Sequence, residues 1–221
     1  FTVVRGPDVL WGGDVRRFTP PPGVFAGVIG GPPCQCHCRR VHMNLAQGNA
    51  IAPDLVPDYA RIVEAAQPHW FVMENVEAVP DLDVRGFLVQ RLTLNARWVG
   101  MEQSRLRVFQ YGSRVGTRID VGPDLTVFDA PTIQPTCMAS EGRHGRVFDK
   151  RRNGRTTSVY ATRRPWARFC ELQGLPADFL DHAPFTIEAK YRVVGNGVPL
   201  PLGRAIANAV KRATTPKESA A

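Results

Sequence analysis

Residues 24–29, VFAGVI, form a short apolar run that breaks on Gly30-Gly31-Pro32-Pro33. A run of this length, closed by glycines and prolines, reads as a buried strand stopped by a turn. The next ordered signal spans residues 54–67, where Leu55, Tyr59, Ile62, Val63 and Ala66 recur at helical spacing and Pro57 fits the first turn. HWFVMENV (69–76) and RVFQYGSR (107–114) follow as further strand-like runs. Strand, loop, helix, strand predicts a right-handed βαβ unit in an α/β sheet. Ligands of such sheets sit beyond the carboxyl ends of the strands. Cys34 and Glu74 both fall at such ends, so the topology predicts that they lie near one another.

With 221 residues the chain has room for one domain, or one with a small appendage, and for a real core. Hydrophobic residues make up 43% and charged residues 22%, the balance of a soluble globular protein. No apolar run reaches the roughly 18 to 20 residues a membrane span needs, and no secretory signal is expected from the opening residues. Five cysteines, in a spacing unlike a disulfide framework, favour a reducing, cytoplasmic setting. The formal net charge of +8 favours a polyanionic partner such as nucleic acid.

Periodicity fades from about residue 116 to 163. Residues 141–164, EGRHGRVFDKRRNGRTTSVYATRR, are crowded with arginine and lysine. Such a stretch is either a solvated loop or a phosphate-contacting surface with Phe148 and Tyr160 interleaved. Order returns in RPWARFCELQGLPADFL (164–180), and VVGNGVPLPLGRAIANAVKRA (193–213) reads as a glycine-rich turn leading into an amphipathic helix. The expected organisation is a core over 1–115, a short irregular region over 116–163, a returning segment over 164–213, and a frayed tail over 214–221.

Three of the cysteines, Cys34, Cys36 and Cys38, alternate directly behind the Pro-Pro turn. Zinc sites pair their ligands as C-x2-4-C with a second pair further on, and none follows here, although His37 and His42 lie close by. No metal is therefore expected. A single nucleophilic thiol needs a tight turn on a rigid mount, with backbone N–H groups to favour the thiolate. Pro32-Pro33 and the strand behind them supply both for Cys34.

GPPCQ (31–35), ENV (74–76), QSRLR (103–107) and GNGVP (195–199), in that order, resemble the signature motifs of the DNA (cytosine-5)-methyltransferases. GGDVRRF (12–18) resembles the family's early acidic motif, and FCELQGLPADF (169–179) the segment before its last motif. The resemblance implies a Rossmann-like S-adenosylmethionine-dependent methyltransferase fold with a mixed, mostly parallel sheet and a short, irregular target-recognition region. It implies a double-stranded DNA partner and S-adenosylmethionine as cofactor, in a bacterial or phage restriction-modification setting.

The chemistry accounts for the residue types. C5 of cytosine is a poor nucleophile, and a thiolate added at C6 makes it enamine-like and able to attack a methyl group. The family assigns the thiolate to Cys34. It assigns relief of the ring charge at N3 to Glu74, as a carboxyl made a weaker acid by burial. Arg107 would hold the base carbonyl. The target carbon lies inside the duplex stack, so the base must flip out. Asp14, Pro32, Leu55, Asn196 and Val198 fall at cofactor-contacting positions. Gln35, Arg105, Arg151, Arg152 and Arg155 are assigned to DNA, with Arg105 also expected to brace its own loop.

The resemblance has gaps. The family's glycine-rich cofactor loop and the ribose-binding acid after it find no match, so the isolated chain is expected to bind cofactor weakly. A helix and strand pair is expected to be missing between ENV and QSRLR. These gaps keep open two further readings, one chain of a split enzyme whose partner supplies the cofactor loop, and a non-catalytic DNA-binding protein on the same fold.

Overall fold

The computed structural model describes residues 14–37, 53–126, 133–144, 146–152 and 155–215, with only the backbone described from 144 to 161. Cys38, His42 and residues 216–221 of the expected tail lie outside the described residues. Two compact units make up the chain: the first holds residues up to Leu94 and Leu106–Ile119, the second Asn95–Arg105 and Asp120 onward.

The first unit is built on strands β1 (Gly27–Gly30), β2 (Trp70–Asn75), β3 (Leu88–Asn95) and β4 (Leu106–Ser113), in the order β1-β2-β4-β3. β1 and β2 run parallel, with Gly30 opposite Met73, and helix α1 (Val56–Ala66) lies between them in sequence. α1 buries Val56, Tyr59, Val63 and Ala66, one helical stripe, against Phe71, Met73 and Val108 of the sheet. A valine, phenylalanine or methionine in this contact contributes about 1.5–3 kcal/mol when fully buried, the Ala66 methyl less. Tyr59, Val63 and Ala66 belong to the stripe its sequence period predicts; Leu55 and Ile62, expected with them, are only partly buried, and Val56 takes a place in the stripe instead.

The α/β fold with a mixed sheet is present, but β4 enters antiparallel to β2, with Glu74 opposite Phe109 and Asn75 opposite Val108. The parallel share is thus smaller than expected. A parallel neighbour needs a long crossover, usually helical. Residues 76–87 form no helix. They lay Val79, Leu82, Val84 and Phe87 into the core instead. The expected loss of a helix and strand pair is therefore half corrected: the helix is absent there, and the strand is β3.

In the second unit, helices α2 (Glu141–His144), α3 (Trp166–Glu171), α4 (Ile187–Asn196) and α5 (Leu200–Thr214) accompany strands β5 (Arg146–Arg152) and β6 (Arg155–Ala161). Cys137, Phe169, Leu172, Tyr191 and Val194 form its core, with the Phe169 and Tyr191 rings 4.6 Å apart. β5 and β6 pair antiparallel over seven residues, so the region expected to be irregular contains a regular hairpin. VVGN (193–196), expected as a turn, is the last turn of α4. Gly195 is a packing glycine, since a Cβ there would meet the 138–139 backbone at 2.6 Å.

Candidate active site

Cys34 opens a single 3-10 turn, Cys34–Cys36, that follows β1 through Gly31-Pro32-Pro33. Its carbonyl accepts the His37 N–H at 2.9 Å, which closes the turn. The thiol is half-buried, while Gln35 beside it faces solvent. Parallel pairing of β1 and β2 carries the ends of both strands to the same edge. Asn75 Nδ2 donates to the Pro32 carbonyl at 3.1 Å, so the strand that ends in Glu74-Asn75 holds the turn that presents Cys34. Asn75 is 2% exposed, which makes this an anchor rather than a surface contact.

Glu74 stands at the same edge. Its Oε2 lies 3.4 Å from where a Cβ on Gly31 would be, and its Oε1 receives Arg107 Nε at 3.0 Å. Both side chains are about one-fifth exposed, at 20% and 18%. Arg107 Nη1 also donates to the Leu106 carbonyl at 2.7 Å. A guanidinium carries five N–H donors, so these two bonds leave it with capacity for a ligand. The structure thus brings the turn of Cys34, the carboxylate of Glu74 and the guanidinium of Arg107 together on one unit.

Beside this edge lies a cavity of about 470 Å³, lined by Val15, Phe18, Gly30, Pro32, Leu55 and Tyr59 among others. That size suits a cofactor or small ligand. Two expected cofactor residues, Pro32 and Leu55, line it. Asp14 does not, although its neighbours Val15 and Phe18 do. The Asp14 carboxylate accepts from Arg16, whose side-chain hydrogen bond is the main reason its pKa is held down at about 2. Asn196 and Val198 belong to the second unit, at the end of α4 and in the link to α5. Tyr59, Val28 and Ile62 also line the cavity and escaped the sequence reading. Their helical and strand periods looked like core alone.

Arg105 requires correction. It is 2% exposed, and it donates to the carbonyls of Cys137, Gly195 and Gly197 at 2.8, 2.9 and 3.0 Å. It braces the second unit and is too deeply buried to meet DNA. Gln103 of the same motif is equally internal, donating to Gln173 and accepting from Cys137 N. The side chains of Arg151, Arg152 and Arg155 lie outside the described residues, though their backbones form the hairpin.

The other thiols have different settings. Burial pushes Cys137 and Cys170 up to about 11. Burial, then the nearby Asp54 carboxylate, also raises Cys36.

A family model for C-5 cytosine-specific DNA methylases matches residues 13–159. The chain is 36% identical over 104 residues to the type II methyltransferase M.HgiDI of Herpetosiphon aurantiacus, covering 42% of this chain and 33% of that protein. It is 32% identical over 138 residues to M.AquIA of a Picosynechococcus species, 52% and 51% of the two chains. The matches thus span about a third to a half of these relatives. Among solved structures, Schizosaccharomyces pombe Dnmt2 methyltransferase superposes with a TM-score of 0.61 at 11% identity, over 92% of this chain and 86% of that one. Entamoeba histolytica EhMeth gives 0.55 at 10% identity, over 86% and 78%. These likenesses establish the Rossmann-like methyltransferase fold, and the family model, which covers well over half of the sequence, establishes that the chain belongs to the C-5 cytosine-specific DNA methylases.

Proposed function

We propose that this chain is the catalytic portion of a DNA cytosine-C5 methyltransferase. The observation that carries the reading is the meeting, at one sheet edge, of the Cys34 turn with the Glu74–Arg107 pair, Asn75 tying the two strands' ends together. Cys34 adds as thiolate to C6 of a flipped-out cytosine. C5 then takes the methyl group, loses its proton, and the Cys34–C6 bond breaks to restore the ring. Glu74 hydrogen-bonds N3 while the ring carries charge. Glu74 is the proton carrier for N3 in this reading, held in place by Arg107 Nε at 3.0 Å. Arg107 turns its remaining donors to the base carbonyl.

S-adenosylmethionine supplies the electrophilic methyl group. The cavity of about 470 Å³ adjoining Gly30–Pro33 has the size and apolar lining for part of such a molecule, with Pro32, Leu55 and Tyr59 as its walls. Asn196 and Val198 remain candidate contacts. Gln35, exposed beside Cys34, is a DNA contact in this reading, and the hairpin arginines are assigned to DNA from the sequence.

Incubation with 5-fluorocytosine DNA and S-adenosylmethionine, followed by denaturing electrophoresis, tests it. The C5 fluorine cannot leave as a proton does, so the covalent complex accumulates. Cys34→Ser is expected to abolish the complex, and Cys36→Ser to leave it intact. A complex that survives Cys34→Ser overturns the assignment. Absence of any complex until a second chain is added favours the split enzyme.

A further inference from the structure

One step beyond Cys34, three side chains of different chemistry converge. His37 Nε2 lies 3.1 Å from Asp54 Oδ1. One ligand atom each from Cys36, His37 and Asp54 falls within 4.8 Å of the other two. Cys36 and His37 end the turn after β1, whereas Asp54 comes from the head of α1, seventeen residues beyond His37. The site is partly shielded: the His37 side chain is 14% exposed, while that of Asp54 is 40% exposed. Asp54 is also fixed, since its Oδ1 accepts the Val56 N–H at 3.0 Å.

Zinc binds nitrogen and oxygen at about 2.0 Å and thiolate sulfur at about 2.3 Å, in a tetrahedron whose edges are therefore roughly 3.3–3.5 Å. The His37–Asp54 separation is already close to such an edge. An upper bound of 4.8 Å leaves the Cys36 sulfur no more than about 1.5 Å to close, within reach of a side-chain rotation. Thiolate, imidazole and carboxylate together suit zinc rather than magnesium or calcium, which take oxygen ligands.

We propose that Cys36, His37 and Asp54 form a binding site for a zinc-class divalent cation, its fourth position open to water. Binding releases the Cys36 thiol proton to solvent and leaves the metal bonded to Cys36 Sγ, neutral His37 Nε2 and an Asp54 oxygen. The cation clips the end of the Cys34-bearing turn to the head of α1. Cys34 is not a ligand. Sequence spacing concealed the site because Cys36 and His37 are adjacent, and the fold supplies the third ligand from a helix start. The inference is independent of the methyl-transfer reading.

The test uses the whole chain, stripped with chelator and titrated with Zn2+ against a chromogenic chelator, then with Co2+ under an absorbance readout. One equivalent of Zn2+ is expected, with a thiolate-to-Co2+ charge-transfer band in the near-ultraviolet. Cys36→Ser is expected to remove the band. His37→Gln and Asp54→Asn should each weaken zinc binding at least tenfold, and Cys34→Ser should change neither readout. Circular dichroism checks that each variant is folded, and the wild-type cobalt band tests the thiolate ligand without any substitution. No saturable equivalent, or a cobalt complex without the thiolate band, overturns the site and leaves Asp54 as a hydrogen-bond brace for the turn. Loss of the band in Cys34→Ser rather than Cys36→Ser also overturns it.

Discussion

At Gly30 the first strand and α1 touch so closely that a Cβ would stand 2.6 Å from the Tyr59 ring. The same two residues line the cavity, so packing and ligand room are set by one contact. Gly30→Ala is expected to cost about 1–3 kcal/mol, as overpacking does, and to weaken S-adenosylmethionine binding, read by urea denaturation and calorimetry. An unchanged midpoint with unchanged affinity refutes this view of the contact. Thiols give a second test at this scale. Because burial lifts Cys137 from an ordinary 9.0 to about 11, the folded protein disfavours its thiolate. Stability from this group is full below about pH 9 and is lost as pH rises through 11, by about 2–3 kcal/mol in all. Cys137→Ala should flatten that part of the stability-pH curve. Iodoacetamide at pH 8 should spare Cys137 and Cys170 in the folded protein, which peptide mapping reads directly. The placing of Cys34 and Glu74 near one another was legible because both follow or end strands that pair in parallel, whereas Arg107 came only from its resemblance to a family motif. Arg105 was legible as a brace but not in its partners, which lie 32, 90 and 92 positions away and which only tertiary contact reveals.

Among the elements, α1, β2 and β4 were readable because each buries one stripe or one run with its own period. β1 was readable from its apolar run and Gly-Pro stop, but it is an edge strand that buries none of its residues, with Ile29 74% exposed. β3 was missed. Its eight residues alternate exposure only partly, and charge at Arg91 interrupts the run. α4 was missed because its glycine serves close packing. The hairpin's polar sequence lacks the apolar alternation by which a strand is recognised, and what orders its base is remote in sequence. Glu141, fully buried just before β5, pairs with Arg164 just after β6: Arg164 Nε lies 3.0 Å from Glu141 Oε1. Arg164 also donates to the Pro135 and Thr136 carbonyls, and Tyr191 Oη–H donates to the Arg164 carbonyl. Removing one partner of a buried pair leaves an uncompensated charge, so Glu141→Ala is expected to cost about 3–5 kcal/mol in urea denaturation. A loss below about 1 kcal/mol shows that Arg164 is held by the carbonyls alone.

For the molecule as a whole, a formal charge of +8 is the property that a polyanion meets first. DNA binding should therefore fall with salt by about 0.9 log units per log unit of salt for each phosphate neutralised. The β5–β6 hairpin concentrates this charge, since from residue 143 to 164 it and its flanks hold one acid, Asp149, amid many arginines. A seven-pair hairpin is a short reader, so phosphate contacts should outweigh base-edge contacts and sequence discrimination should be modest. Neutralising Arg151, Arg152 and Arg155 together is expected to flatten the salt slope by about two to three units if each meets a phosphate. The fold should survive, because a segment this polar has little to contribute to a core. Fluorescence anisotropy at a series of salt concentrations measures the slope, and circular dichroism checks the fold. A folded triple variant with the wild-type slope would show that the hairpin is a solvated face and that DNA is gripped elsewhere on the protein.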